Sequence, residues 1–143
     1  MKVLVVDDVA SVRERLVAML AEVAGVTAVF EADGTRAAVE ALRARTPDVI
    51  VLDLHLRGES GLRLAGLAKR ERPGALLIVM TNQPTAPVRR ECEALGVDFF
   101  FDKSNDFEDV VRLVGDAVGP TRILATSDAW AQRMPTAGVK RRA

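Results

Sequence analysis

Five short apolar runs, at residues 3–6, 27–30, 49–52, 76–80 and 97–101, alternate strictly with longer stretches of helical periodicity. That alternation leaves few folds open. Most of the runs are rich in Val, Ile or Phe and show no polar alternation, the pattern of strands buried on both faces of a parallel sheet; the second run is weaker. Between them, Val9, Val12, Leu16, Met19, Leu20 and Val23 recur at helical spacing. Ala38, Ala41 and Leu42 do so more weakly, then Leu64, Leu67 and Ala68, then Val88, Cys92 and Leu95. Phe107, Val110, Val111, Val114 and Val118 make the clearest stripe. Asn105, with Glu108 three residues on, reads as a capping box opening the last helix. Gly25, Gly74 and Gly96 fall where helices end in a left-handed residue.

The order βαβαβαβαβα predicts an α/β fold with right-handed crossovers. Five strands in this length suit a flavodoxin-like, doubly wound five-stranded parallel sheet, (βα)5, with strand order 2-1-3-4-5. Residues 1–119 form the expected domain. Residues 120–143 lack a clear period and end Lys140-Arg141-Arg142-Ala143, which reads as a partly disordered C-terminal tail. A short ordered piece at residues 121–126 and a docked or mobile Trp130 are the features to look for there.

Composition narrows the function classes. Lys plus Arg number 20 and Asp plus Glu number 20, so net charge gives no reason to expect nucleic acid or an anionic membrane as a direct partner. The single cysteine, Cys92, excludes an internal disulfide and a cysteine-based metal site. No stretch approaches the ~20 apolar residues of a membrane span. The expected location is cytoplasmic.

The chemistry lies at the carboxyl end of each strand. The first strand runs into Asp7 and Asp8, the third into Asp53, the fourth into Thr81, and the fifth ends near Lys103. In a parallel sheet all of these fall on one edge, where such folds bind ligands. Three converging carboxylates repel, and a hard divalent cation with oxygen ligands is the natural neutraliser. Mg2+ is therefore the expected cofactor. A carboxylate beside Mg2+ can attack phosphorus, with lysine and metal stabilising charge on the transferred oxygens and the Thr81 hydroxyl donating to one of them. Taken singly, an Asp pair after a strand is an ordinary turn or cap, and Thr81 or Lys103 an ordinary solvated residue. The specificity is in their conjunction.

These residues resemble response-regulator receiver domains of two-component signalling, chiefly the stand-alone, chemotaxis-regulator-like kind, from Val3 to about Val118. The similarity is carried by Val5-Val6-Asp7-Asp8, by residues 48–61 with Asp53, Gly58 and Gly61, by Met80-Thr81, and by residues 94–103 ending in Lys103. The resemblance implies that Asp53 is the phosphoacceptor. It implies that Asp8 and Asp53 ligate Mg2+ directly, with Asp7 acting partly through water and the His55 backbone carbonyl as a further ligand. It implies that Lys103 contacts the phosphoryl group and that Thr81 and Phe100 form the switch pair. For Phe100 the plainer reading is a core aromatic, since one of Phe99, Phe100 and Phe101 must face outward in a strand. The chain departs from the pattern at Arg57, where a proline is common, at Ser104, where many members carry a proline, and at Asn82, where a small residue is usual.

The expected partners are a sensor histidine kinase or histidine phosphotransfer protein, and a downstream protein that the sequence does not name. The expected state is a monomer or a phosphorylation-dependent dimer. No enzyme activity is expected beyond the domain's own phosphoryl transfer and dephosphorylation. The alternatives are a phosphorylation-independent binding module, a receiver fragment of a larger regulator, or an aspartate-nucleophile phosphatase. The phosphatase generally needs a second acid two residues after its nucleophile, and that position is His55. As a side chain, His55 reads as an exposed loop histidine; the sharper reading is modulation of acyl-phosphate hydrolysis near neutral pH.

Overall fold

The computed structural model describes residues 1–104 and 106–118. The tail readings at residues 121–126 and Trp130, and Asn105, lie outside the described residues. The chain runs β1 (Lys2–Val6), α1 (Ala10–Ala21), β2 (Ala28–Ala32), α2 (Thr35–Arg45), β3 (Val49–Asp53), β4 (His55–Leu56), β5 (Glu59–Ser60), α3 (Gly61–Glu71), β6 (Leu76–Thr81), α4 (Ala86–Leu95), β7 (Phe99–Asp102) and α5 (Phe107–Val118). The main sheet is parallel, in the order β2-β1-β3-β6-β7. This is the expected 2-1-3-4-5 arrangement once the short antiparallel hairpin β4–β5 is counted.

Alternation of side chains along each strand divides the core in two. Val3, Val5, Val49, Val51, Ile78 and Met80 pack with Leu16 and Leu20 of α1 and with Val110, Leu113 and Val114 of α5. Leu4, Val6, Ile50, Leu52, Leu77 and Val79 pack with residues of α2, α3 and α4, among them Ala38, Leu42, Leu64 and Cys92. Each central strand is thus covered on both sides, which is why its sequence is apolar without alternation. The same geometry corrects the reading of the three phenylalanines. Phe99, Phe100 and Phe101 are all buried, because β7 has helices on both faces and no strand residue there needs to face water.

Other departures are local. β2 extends to Ala32, which pairs with Val6 of β1, and its exposed Glu31 pairs with Arg13 at 3.0 Å. Val9 stands ahead of α1 as its N-cap and is 44% exposed, so it does not open the helix's apolar stripe. Gly25 and Gly96 are left-handed as expected, whereas Gly74 is not, and after α2 the left-handed position is Thr46. Gly96 closes α4 with the Gly96 N–H on the Glu93 carbonyl and the Val97 N–H on the Cys92 carbonyl, which delays β7 to Phe99.

The last helix begins at Phe107, and its first turn is closed by the Val110 N–H on the Asp106 carbonyl. The residue before the helix is therefore Asp106, one place beyond the expected cap at Asn105. Asp106 is buried, and its carboxylate accepts the Asp102 N–H at 2.9 Å. Burial, with Asp109 and Asp102 adding repulsion against the opposing Asp102 N–H, holds its carboxyl above the ordinary 3.8. An acid with a raised folded pKa loses stability as pH climbs from its unfolded to its folded value. Asp106→Asn keeps an oxygen acceptor for that N–H. It is expected to melt higher than the parent at neutral pH, with the difference vanishing in acid. Thermal denaturation across that range checks it.

Candidate active site

In a parallel sheet every strand delivers its last residue to the same edge, and the backbone ladder carries Asp7 and Lys103 there. The Asp7 N–H extends β1 by bonding the Ala32 carbonyl at 3.1 Å, and the Lys103 N–H extends β7 by bonding the Thr81 carbonyl at 2.9 Å. Asp53 is the final residue of β3, in register with Met80 of β6. Asp7, Asp8 and Asp53 consequently offer carboxylate oxygens that all lie within 4.8 Å of one another. The Lys103 Nζ sits 2.9 Å from Asp7 Oδ2 and 2.9 Å from Asp53 Oδ2. Asp7, Asp53 and Lys103 are buried, and Asp8 is half-buried.

A backbone N–H holds one oxygen of each acid. Val9 donates to Asp7 Oδ1 at 2.9 Å, His55 to Asp53 Oδ1 at 3.1 Å, and Arg57 to Asp8 Oδ2 at 2.9 Å. Burial pushes the Asp7 carboxyl above its ordinary value and the Asp53 charge adds to this, against the Lys103 and Val9 hydrogen bonds and the Lys103 charge. Burial works to lower the Lys103 ammonium, but its hydrogen bonds and charge pairing with Asp7 and Asp53 outweigh it, and the net shift is upward. Among the described residues, Lys103 is thus the cation in direct contact with Asp7 and Asp53, and the third carboxylate of the cluster, Asp8, is held by the Arg57 N–H. All the donors on offer are hard oxygens, so the cluster fits Mg2+.

Thr81 ends β6 fully buried, and its hydroxyl accepts the Gln83 N–H at 3.1 Å. It keeps its own proton to donate, and it borders a cavity of about 320 Å³ shared with Leu54, Ser60 and Val88. The His55 side chain is exposed at the rim of the same cavity. Phe100 packs in the core on the α4 side, with the Arg89 guanidinium carbon 5.5 Å from its ring centroid. Two of the unusual positions meet, since the Ser104 hydroxyl contacts Asn82 Oδ1 at 3.4 Å, joining the loops after β6 and β7. The third, Arg57, reads in the sequence only as a missing proline. Its amide contact with Asp8 has no sequence signal beyond the Arg57-Gly58 pair.

A family model for the response regulator receiver domain matches residues 3–115. The response regulator GacA of Pseudomonas aeruginosa is 27% identical over 124 residues, covering 87% of this chain and 58% of that protein. A protein-glutamate methylesterase/protein-glutamine glutaminase of Anaeromyxobacter dehalogenans is 40% identical over 100 residues, 67% of this chain and 28% of that one. The chain thus spans less than two thirds of the length of these relatives. Among solved structures, the signal receiver domain of the putative response regulator NarL from Mycobacterium tuberculosis superposes with a TM-score of 0.73 at 26% identity, covering 82% of this chain and 94% of that one. A CheY-like receiver domain protein from Methanospirillum hungatei reaches 0.76 at 18% identity over 87% of this chain and 98% of that one, a likeness of fold.

Proposed function

The chain belongs to the response regulator receiver domain family, whose members work in phosphorylation-based signalling, and from that premise we propose that it takes a phosphoryl group on Asp53 from a histidine kinase or histidine phosphotransfer protein. The observation that carries this reading is the Lys103 ammonium lying 2.9 Å from both Asp7 and Asp53 within the carboxylate triad. An Asp53 oxygen attacks the phosphorus of a phosphohistidine. An O–P bond forms, the P–N bond breaks, and the imidazole leaves with its electron pair and takes up a proton. Lys103, already at Asp53, donates to a phosphoryl oxygen. Receiver domains generally bind Mg2+ at an acidic pocket, and here Asp7, Asp8, Asp53 and the His55 backbone carbonyl would hold it. When bound, Mg2+ supplies charge neutralisation to the phosphoryl oxygens.

A phosphoryl group brings roughly −2 charge, and the Thr81 hydroxyl, which now accepts the Gln83 N–H, then has a charged oxygen to which it can donate its own proton. Movement of Thr81 into the site and repacking of Phe100 would alter the surface of α4, β7 and α5. Differential binding of a partner protein there would be the output. The same proposal has the domain working in the cytoplasm, acting by protein contacts and catalysing only its own phosphoryl transfer and loss, as a monomer or a phosphorylation-dependent dimer.

Intact mass after incubation with Mg2+ and acetyl phosphate or phosphoramidate tests this. The expected result is one added phosphoryl group, dependent on Mg2+ and absent in Asp53→Asn. No adduct with either donor, together with no Mg2+ binding, would sink it.

A further inference from the structure

The loop joining β4 to β5 consists of Arg57 and Gly58, with φ of 52° and 80°. Two successive left-handed residues make the tight hairpin turn that matches strand twist, but the first is normally Asn, Asp or Gly. An arginine there is disfavoured by its Cβ, so something must hold it. Its backbone N–H donates to Asp8 Oδ2 at 2.9 Å, and its guanidinium reaches Asp33 Oδ2 at 3.0 Å. Arg57 therefore ties the hairpin to the loops after β1 and β2 at once. The three acids are not held equally. Asp7 and Asp53 each have a backbone N–H and the Lys103 ammonium. For Asp8, half-buried, the Arg57 N–H is the hydrogen bond that fixes its carboxylate among the described residues.

We infer that Arg57 is a positioning residue for the metal site, its left-handed backbone N–H fixing the Asp8 carboxylate in the geometry in which the triad binds a divalent cation. The inference rests on the proposed function. A proline at this position has neither the N–H nor access to positive φ. A glycine has both. Substitution can therefore separate the amide from the side chain.

Calorimetric titration of the unphosphorylated full chain with MgCl2 reads it directly. Loss of an outer hydrogen-bond partner of a ligating carboxylate typically weakens metal affinity tenfold or more, so Arg57→Pro is expected to bind Mg2+ about tenfold more weakly. Arg57→Gly should stay within about twofold of the parent, since the outer bond is kept. A backbone ester at position 57, which deletes the N–H and leaves the side chain, should weaken binding as proline does. The ester decides the matter where the proline variant fails to melt cooperatively. Parent-like affinity in the ester, or a glycine variant as weak as the proline one, would overturn the inference while leaving the proposed function standing. A parent that binds no Mg2+ would remove both.

Discussion

Lys103→Met is expected to destabilise the domain by ~3–5 kcal/mol at neutral pH, because it breaks a buried ion pair and leaves its acids uncompensated. The Lys103 side chain is 7% exposed and those of Asp7 and Asp53 are 4%. Methionine fills similar volume without charge, so the loss is electrostatic rather than a cavity. The pH dependence fixes the sign. In the parent, the raised Lys103 pKa means its contribution is complete below the ordinary 10.5 and is lost as pH rises through the folded value. In the variant, Asp7 keeps the burial and Asp53 repulsion that raise its carboxyl and loses the ammonium that opposed them. The variant should therefore regain stability on acidification as Asp7 takes up a proton. Asp53→Asn in the same chain should restore part of the loss by removing one acid.

Two further readouts of Lys103→Met move in opposite directions. Mg2+ affinity should rise, since the competing ammonium is gone, while the rate of adduct formation should fall by ~10²–10³, the usual effect of removing one electrostatic stabiliser of a transferred group. Denaturant melts with and without Mg2+, and a time course of intact mass, check both. Unchanged stability at neutral pH would show that the triad is neutralised by some other means.

The sheet edge explains how far the sequence could be read. Val3, Val49 and Leu76 begin runs buried on both faces, and such runs declare themselves. Once they are strands of one parallel sheet, Asp7, Asp53, Thr81 and Lys103 must come together. β2 is faint because an edge strand tolerates Glu31 facing water. The hairpin is invisible because two-residue strands have no period, and because positive φ at an arginine runs against local preference; Arg57 takes it through bonds to Asp8 and Asp33, distant in sequence. Val9 misleads for the complementary reason. Hydrophobic spacing alone assigns it to a helix face, whereas the chain needs it extended so that its N–H reaches Asp7. Periodicity thus reveals where the acids stand, and leaves unseen the backbone donors that orient them.

Gly61→Ala is expected to show how tightly those donors depend on one close approach. Gly61 opens α3, and its N–H bonds the Leu54 carbonyl at 2.8 Å, folding the hairpin back onto the end of β3. A Cβ at this position would lie 2.7 Å from the Asp53 carbonyl oxygen and 2.7 Å from Leu54 Cα. Both are backbone atoms, so no rotamer change relieves the clash, and the loop must move as a body. Overpacking of this kind costs roughly 2–3 kcal/mol. The segment displaced carries the His55 N–H on Asp53 and the Arg57 N–H on Asp8. Stability and Mg2+ affinity should therefore fall together, whereas the backbone ester at position 57, which deletes one N–H and leaves the turn's φ accessible, should act mainly on affinity. Denaturant melts beside MgCl2 titrations measure the two quantities separately. A Gly61→Ala protein that is destabilised yet binds Mg2+ as the parent does would mean that the acids are held in place from β1 and β3 alone, without help from the hairpin.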